Sequence, residues 1–370
     1  MRRLLVSIFV ASLAMGIVGL ALVLYAKDHF HASYTEIGLL GPTYAVLHVL
    51  LSVPSGRLAD RYGRGRFIFL GFVLTACAFV LYSRASTMAL LLAARLLQGA
   101  AEAPIWVNAQ SAVAELSNEL GRGKAMGRYG VSWAAGFTIG PFVGGYIYEA
   151  LGPVRTFRLG AVLTSVAAAV IVGVPFQKPT MKLGKATPRD LLPTCWIGLI
   201  YYGVVAIIFT LFPAHARQLN ISEFQIGILL ALFGGVRAVL LLPLGMLSDR
   251  FGVKPVVLFG ISLLAMSVGA MASTTQYPMF VVIIVFLAMS EAITYPAMMN
   301  AVSRVGGEEN RGYVFGVFNS IATIGWGLLP GIGGVVADAF GPKTPYLMCA
   351  LMASATAAFV WRFFTLEDRK

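Results

Sequence analysis

Long apolar stretches alternate with short polar segments along the whole chain. About twelve of these stretches reach the roughly 20 residues that a helix needs to cross the hydrocarbon core of a bilayer. The pattern predicts an all-α integral membrane protein with twelve transmembrane helices. The predicted helices cover residues 4–26, 35–57, 66–83, 87–113, 127–150, 156–176, 191–213, 223–247, 254–273, 278–302, 312–338 and 343–364.

A single polar segment divides the chain nearly in half. Residues 177–190 contain two prolines and four basic residues and resemble a linker more than a helix. We interpret residues 1–176 as an N-terminal six-helix bundle, residues 177–190 as a cytoplasmic linker, and residues 191–370 as a C-terminal six-helix bundle.

The two halves are copies of each other. A charged turn centred on Asp60 returns in weaker form around Asp249, an offset of 189 residues, and the same offset relates Glu102 to Glu291 without gaps. Six helices per half give both halves the same orientation, so the repeat is parallel about an axis along the membrane normal. Transporters use this architecture, with the substrate site near the membrane midplane between the halves.

Charge separates the two sides of the membrane. The chain is 58% hydrophobic and 12% charged with a net charge of +12, and the loops on the side of the termini hold 20 Lys and Arg residues against six on the other side. This bias predicts a multi-pass cell-membrane protein with both termini in the cytoplasm. The basic residues serve orientation, so we expect no nucleic-acid partner. The three cysteines lie in apolar segments, and we expect no metal and no cofactor.

Four charged residues lie well inside predicted helices, away from the helix ends: Arg95, Glu102, Arg237 and Glu291. Each costs roughly 2.5–3.5 kcal/mol at a helix centre, so each is expected to have a partner or a function. The two carboxylates could exchange protons or bind a cationic substrate. The two arginines could pair with them or bind an anionic substrate, and structural ion pairs are the alternative. His48 is the remaining titratable candidate, although we expect a hydrogen-bonded core histidine.

Three segments resemble motifs of the major facilitator superfamily. Gly56–Arg64 is similar to the family signature between helices 2 and 3, and Arg95–Gly99 to its helix 4 motif. Gly136–Gly145 resembles the helix 5 motif of the drug/proton antiporter branch. The resemblance covers the whole chain and implies the major facilitator fold, in which helices 1, 4, 7 and 10 line the central cavity.

The resemblance also implies roles for two sets of residues. A turn that gates the cytoplasmic face and stabilises the outward-open state would use Gly56, Asp60, Arg61 and Gly63, with the reduced copy Asp249 and Arg250. The alternative is that the arginines are only orientation signals. Close packing of helix 5 against its counterpart in the second half would use Gly136, Gly140, Pro141, Gly144 and Gly145.

These observations favour a secondary transporter that works by alternating access. Proton-coupled export of an amphipathic or drug-like compound is the first hypothesis, although helix 1 lacks the acidic residue that many such exporters carry. A proton-coupled uptake symporter for a small organic anion and a non-transporting sensor on the same fold are the alternatives. The partners are then a small-molecule substrate, protons and the lipid bilayer, and we expect a monomer. No pattern of enzyme catalysis is present.

Overall fold

The computed structural model describes the backbone of residues 1–115, 122–174 and 192–363. Within these ranges it does not describe the side chains of residues 60, 114–115, 122–124, 242, 249, 303–313, 315–316 and 363. The predicted linker at 177–190 and the side chains of Asp60 and Asp249 therefore lie outside the described residues.

The described chain is all α-helical, with fourteen helices. They are α1 (Arg2–Phe30), α2 (Tyr34–Gly38), α3 (Leu40–Tyr62), α4 (Arg64–Tyr82), α5 (Met88–Glu115), α6 (Arg122–Leu151), α7 (Pro153–Ile171), α8 (Leu192–Thr210), α9 (Phe212–Gln218), α10 (Glu223–Gly245), α11 (Leu247–Phe251), α12 (Val253–Ala272), α13 (Tyr277–Phe340) and α14 (Thr344–Phe363).

The helices correspond to the predicted spans. In the described ranges, eleven stretches are long and apolar enough to cross a membrane. Helix α6 occupies the remaining predicted span, the fifth, and its 30 residues rise about 45 Å. Short helices α2 and α9 extend the spans of α3 and α8, so the second and seventh predicted spans are each built from two helical pieces.

Helix α13 contains two spans that run in opposite directions. It has 64 residues, which would measure about 96 Å if straight, three times the hydrocarbon thickness. Phe280 near its start packs on Phe212 with ring centroids 5.2 Å apart. Gly333 near its end lies beside the adjacent Leu211, whose Cδ1 would be 3.0 Å from an added Cβ. Both ends of α13 therefore lie at the same side of the bundle.

The parallel repeat is visible in the packing and in the backbone. Helix α1 packs on α6 as α8 packs on α13, and α4 packs on α7 as α12 packs on α14. Glycines at the ends of these elements have matching positive φ angles. They are 99° at Gly63 and 84° at Gly252, which precede α4 and α12, and 81° at Gly152 and 100° at Gly341, which follow α6 and α13. Positive φ is unstrained only for glycine, which explains the residue type at these turns.

The glycine face of α6 packs against α1, within the first half. An added Cβ would lie 2.6 Å from Ser12 Cβ at Gly136, 2.6 Å from Gly16 Cα at Gly140, and 2.7 Å from the Ile17 carbonyl oxygen at Gly144. The expected packing of this face against the second-half counterpart is therefore wrong. Small side chains let two helix backbones approach closely. Such packing matters in a membrane because lipid is as apolar as the side chains, so helices associate without a hydrophobic driving force.

A different face of α6 contacts the second half, through α10. An added Cβ at Gly145 would lie 2.5 Å from the Glu223 carbonyl oxygen, and one at Gly227 would lie 2.5 Å from the Pro141 carbonyl oxygen. The repeat-related contact joins α2 to α13, where an added Cβ at Gly38 would overlap the carbonyl of Pro330. Two equivalent close contacts thus hold the halves together.

These contacts close the bundle on one side only. They lie toward the face opposite the termini, which we call the outer face. Toward the other face, the terminal face, the same surfaces separate: Val131, two turns from Thr138 on α6, is 70% exposed. Val131 lies on the same face of α6 as Thr138 and Gly145, which contact Gly234 and Gly227 of α10. A gap between α6 and α10 therefore opens toward the terminal face.

Replacing Gly140 by Ala should destabilise the protein by about 1–3 kcal/mol, because the new methyl group overlaps the α1 backbone. Gly130 of the same helix has no neighbour within 4 Å of an added Cβ, so Gly130→Ala is the matched control and should stabilise the helix by about 0.5–1 kcal/mol. Thermal unfolding in detergent measures both. Equal melting temperatures for the two variants would contradict the packing.

Candidate functional site

Two buried carboxylates occupy equivalent positions in the two halves. Glu102 lies on α5 and Glu291 on the first span of α13, and each residue is 4% exposed. A buried carboxylate requires hydrogen bonds or a counter-charge, since desolvation of its charge is costly. The two halves meet this requirement with different residues.

Three side chains donate hydrogen bonds to Glu102. Gln98 Nε2 lies 2.6 Å from Oε1, and Oε2 accepts from the Tyr44 hydroxyl at 2.8 Å and from Trp106 Nε1 at 3.1 Å. Gln98 and Trp106 are one turn before and after Glu102 on α5, and Tyr44 comes from the neighbouring α3. The first-half carboxylate is therefore held by neutral donors.

Arg95 reaches Glu102 only through Gln98. Its Nη1 donates to Gln98 Oε1 at 2.7 Å and its Nε donates to the Leu40 carbonyl at 3.1 Å. The guanidinium also lies 4.7 Å from the centre of the Tyr44 ring. Of the alternatives for Arg95, the structure contains no direct ion pair with Glu102 but a bridge through Gln98, which the spacing of three and four residues along α5 makes possible.

Arg237 and Glu291 form an ion pair in the second half. Arg237 Nε lies 2.9 Å from Glu291 Oε2, yet that oxygen has no hydrogen-bond donor among the described residues, so the two groups are close without aligned N–H geometry. The guanidinium also lies over Tyr295, 5.3 Å from the ring centre, and over Trp133 at 5.9 Å. Because Trp133 belongs to α6, Arg237 connects the second-half carboxylate to the first half.

The turn residues lie at the terminal face. Gly63 ends α3. Gly56 packs against Val107 of α5, since a Cβ added to Gly56 would lie 3.4 Å from Val107 Cγ1. Arg61 and Arg250 are exposed, and each lies over the aromatic ring of the residue that follows it.

Arg64, which follows this turn, is buried and donates from Nη1 to Asn108 Oδ1 at 3.2 Å. It therefore ties the start of α4 to α5. A role limited to orientation does not account for this buried hydrogen bond.

The outer face is closed by a carboxylate on a helix N-terminus. Asp338 of α13 accepts from the backbone N–H of Tyr34 at 2.9 Å and of Thr35 at 2.7 Å. Ser33 caps the same helix start by accepting from the Glu36 N–H. The free N–H groups of a helix start favour a negative charge, so this contact joins the two halves through charge-assisted hydrogen bonds.

The repeat-related contact is present on the other side of the axis. Glu149 of α6, equivalent to Asp338, accepts from the Phe224 N–H at 3.0 Å, and Ser222 caps α10 as Ser33 caps α2. Asp28 and Arg217, which are themselves related by the 189-residue offset, lie 3.4 Å apart across the halves.

We call the two carboxylate contacts, made by Asp338 and Glu149, the outer clamp. Sequence reasoning missed it because the donors are backbone groups that leave no mark in the side chains. The available signal was a pair of acidic residues at repeat-related positions beside two identical serine caps.

Membrane-length helices, packed in two parallel copies around buried charges, define a polytopic membrane transporter. The chain belongs to the Major Facilitator Superfamily, whose family model matches residues 4–193 and again residues 194–370. It is a transporter and not an enzyme, and such transporters handle small-molecule substrates within the bilayer.

Similar proteins span nearly the whole chain. The chain is 24% identical to Multidrug resistance protein 2 of Bacillus subtilis over 358 residues, which is 90% of this chain and 88% of that protein. It is 22% identical to the quinolone resistance protein NorA of Staphylococcus aureus, with the same coverage of 90% and 88%. The crystal structure of the nucleoside transporter NupG has the same fold, with a TM-score of 0.80, 13% identity and coverage of 99% of this chain and 99% of that chain.

Replacing Asp338 by Ala should shift the protein toward opening at the outer face. Loss of a helix cap costs about 0.5–2 kcal/mol, so we expect a severalfold rise in the open population. Asp338→Asn retains an acceptor and should have a smaller effect. The distance between spin labels on the exposed loop residues Ser86 and Thr275, one in each half, reports this opening by double electron–electron resonance. Unchanged distance distributions in the Ala variant would rule out a clamping role.

Proposed function

We propose that this transporter exports an amphipathic or drug-like compound in exchange for protons by alternating access. The proposal rests on the pair of buried carboxylates, Glu102 and Glu291, at equivalent positions of the repeat. Inside a membrane, buried ionisable groups that face a bundle interior mark proton or substrate pathways. A proton and a cationic cargo can then compete for the same carboxylates, which couples their movements.

The gap between α6 and α10 supports access from the terminal face. A solute that enters past Val131 meets Trp133 and then Arg237, which holds Glu291. Movement of Arg237 away from the carboxylate would release Glu291 for cargo. The aromatic ring at this position provides a flat apolar surface that suits an amphipathic compound.

Orientation and direction follow from independent observations. The charge bias of the loops supports cytoplasmic termini, so the described arrangement is inward-facing, with the outer face closed. Relatives named for multidrug and quinolone resistance support export. The engagement of both guanidinium groups, Arg95 with Gln98 and Arg237 with Glu291, disfavours anion uptake, since neither is free to receive an anionic substrate.

The turn at the terminal face completes the cycle in this proposal. The outward-open state requires the terminal face to close while the outer clamp opens, and the duplicated turn lies where the halves would then meet. We assign this closing role to Gly56, Asp60, Arg61, Gly63, Asp249 and Arg250. Asp60 supplies the charge that would accept hydrogen bonds from the other half.

Replacing Glu102 by Gln should abolish proton exchange, because the amide keeps the size of the side chain but cannot bind a proton. Proteoliposomes with an acidic interior and a trapped pH dye receive ethidium, a permanently charged amphipathic dye, on the outside. Wild-type protein should alkalinise the interior as ethidium enters, and Glu102→Gln should match protein-free vesicles.

Glu36→Gln is the matched control for this experiment. Glu36 belongs to a capping box whose repeat counterpart already uses a glutamine, Gln225, so the substitution should preserve both fold and exchange. Acidification on ethidium entry would instead support symport. Full proton exchange by Glu102→Gln would exclude Glu102 as a proton site.

A further inference from the structure

The repeat places His48 and Arg237 at equivalent positions. The 189-residue offset that relates Glu102 to Glu291 also relates His48 on α3 to Arg237 on α10. In the second half this position supplies the cation that pairs with the buried carboxylate. In the first half the same position carries a side chain whose positive charge depends on a proton.

His48 is connected to Glu102 through Tyr44. The His48 ring stacks on the Tyr44 ring, with centroids 5.2 Å apart and an angle of 22° between the planes. The Tyr44 hydroxyl donates to Glu102 Oε2 at 2.8 Å. One aromatic side chain therefore separates the imidazole from the carboxylate, in the place where the second half has a direct ion pair.

The His48 imidazole lacks the hydrogen bond that a structural histidine would make at this buried nitrogen. His48 Nδ1 is buried and has no hydrogen-bond partner among the described residues, so the expected hydrogen-bonded core histidine is not what the structure contains. A buried polar atom without a partner costs free energy unless another state of the protein uses it. A neutral imidazole has one ring nitrogen that can accept a proton, and the Glu102 carboxylate lies beyond the Tyr44 ring.

We propose that His48 and Glu102 together hold the exchanged proton, while the permanent cation Arg237 keeps Glu291 deprotonated. This inference rests on the proposed proton exchange and assigns it to one half. On loading, a proton binds an imidazole nitrogen or a carboxylate oxygen of the first-half pair; on release, the same proton leaves to the other side. No covalent bond of the cargo changes.

The surrounding charges are compatible with a shared proton. Among the described residues, Tyr44 stacks on the His48 ring, and the charged groups in contact with Tyr44 are Glu102 and Arg95, with Tyr82 joined to them through Gln98. Helix α13 faces α3 with the uncharged Gly327 and Pro330. Arg95 is engaged by Gln98 and the Leu40 carbonyl, which leaves the proton on the His48–Glu102 pair as the variable charge of this cluster.

The first test compares pH profiles of ethidium-driven proton flux in proteoliposomes between about pH 5.5 and 8.5, the range in which an imidazole titrates. His48→Arg installs the residue of the second half and should remove the pH dependence. His48→Asn should do the same without adding a charge, and it keeps the test valid if the arginine disturbs folding. His31→Asn is the control, since His31 is exposed and its positive φ of 52° suits asparagine.

The second test needs no cargo. Nuclear magnetic resonance of protein labelled at its histidines follows the resonances of the His48 ring. These resonances are assigned by their absence from the spectrum of His48→Asn. The titration midpoint of His48 should move in Glu102→Gln and stay unchanged in the matched variant Glu291→Gln. Equal midpoints in both variants would overturn the coupling of His48 to Glu102.

The outcomes separate the two proposals. Wild-type vesicles without ethidium-driven proton flux would refute proton exchange and this inference together. Normal wild-type flux with an unchanged pH profile in His48→Asn would overturn the role of His48 alone. Loss of the pH dependence together with a midpoint that moves only in Glu102→Gln supports the assignment.

Discussion

A charge inside the hydrocarbon core is stable only beside a partner, and the interior of this protein is arranged around that constraint. Four intramembrane charges form two groups, one in each half. In the first half Glu102 receives neutral donors, and Arg95 is held at a distance by Gln98. In the second half Glu291 receives Arg237 itself. The same carboxylate position thus has a different electrostatic environment in each copy.

Duplication explains why the outer face is symmetric and the interior is not. The outer clamp depends on backbone N–H groups, which every copy of a helix start provides, so only an acidic residue and a serine cap had to be retained in each half. The interior depends on side chains, which diverge freely after duplication. The position of His48 in one half is occupied by Arg237 in the other, so one copy can lose its charge and the other cannot.

The spans, the repeat and the position of the buried carboxylates were predictable from the sequence because each leaves a direct mark in residue type and spacing. The hydrogen-bonding and packing partners of these residues were less predictable. Gln98 lies at the spacing that joins Arg95 to Glu102, but only the structure shows that Tyr44 from another helix completes the group. The glycines of α6 predicted a close contact without identifying its partner, since a bare helix face fits any neighbour, and the partner is α1.

The energetics of the outer clamp are suited to a transporter that must open and close. Each carboxylate cap contributes about 1 kcal/mol, so two of them together bias the outer face toward closure by about 2 kcal/mol, or roughly 30-fold. The exposed ion pair of Asp28 and Arg217 adds little, since water and salt screen it. A bias of this size favours the closed outer face and is small enough for the binding of a ligand to reverse. Because both caps join the halves at equivalent points of the outer face, a rocking motion of the halves about an axis in the membrane plane weakens them together, and opening of the outer face becomes cooperative.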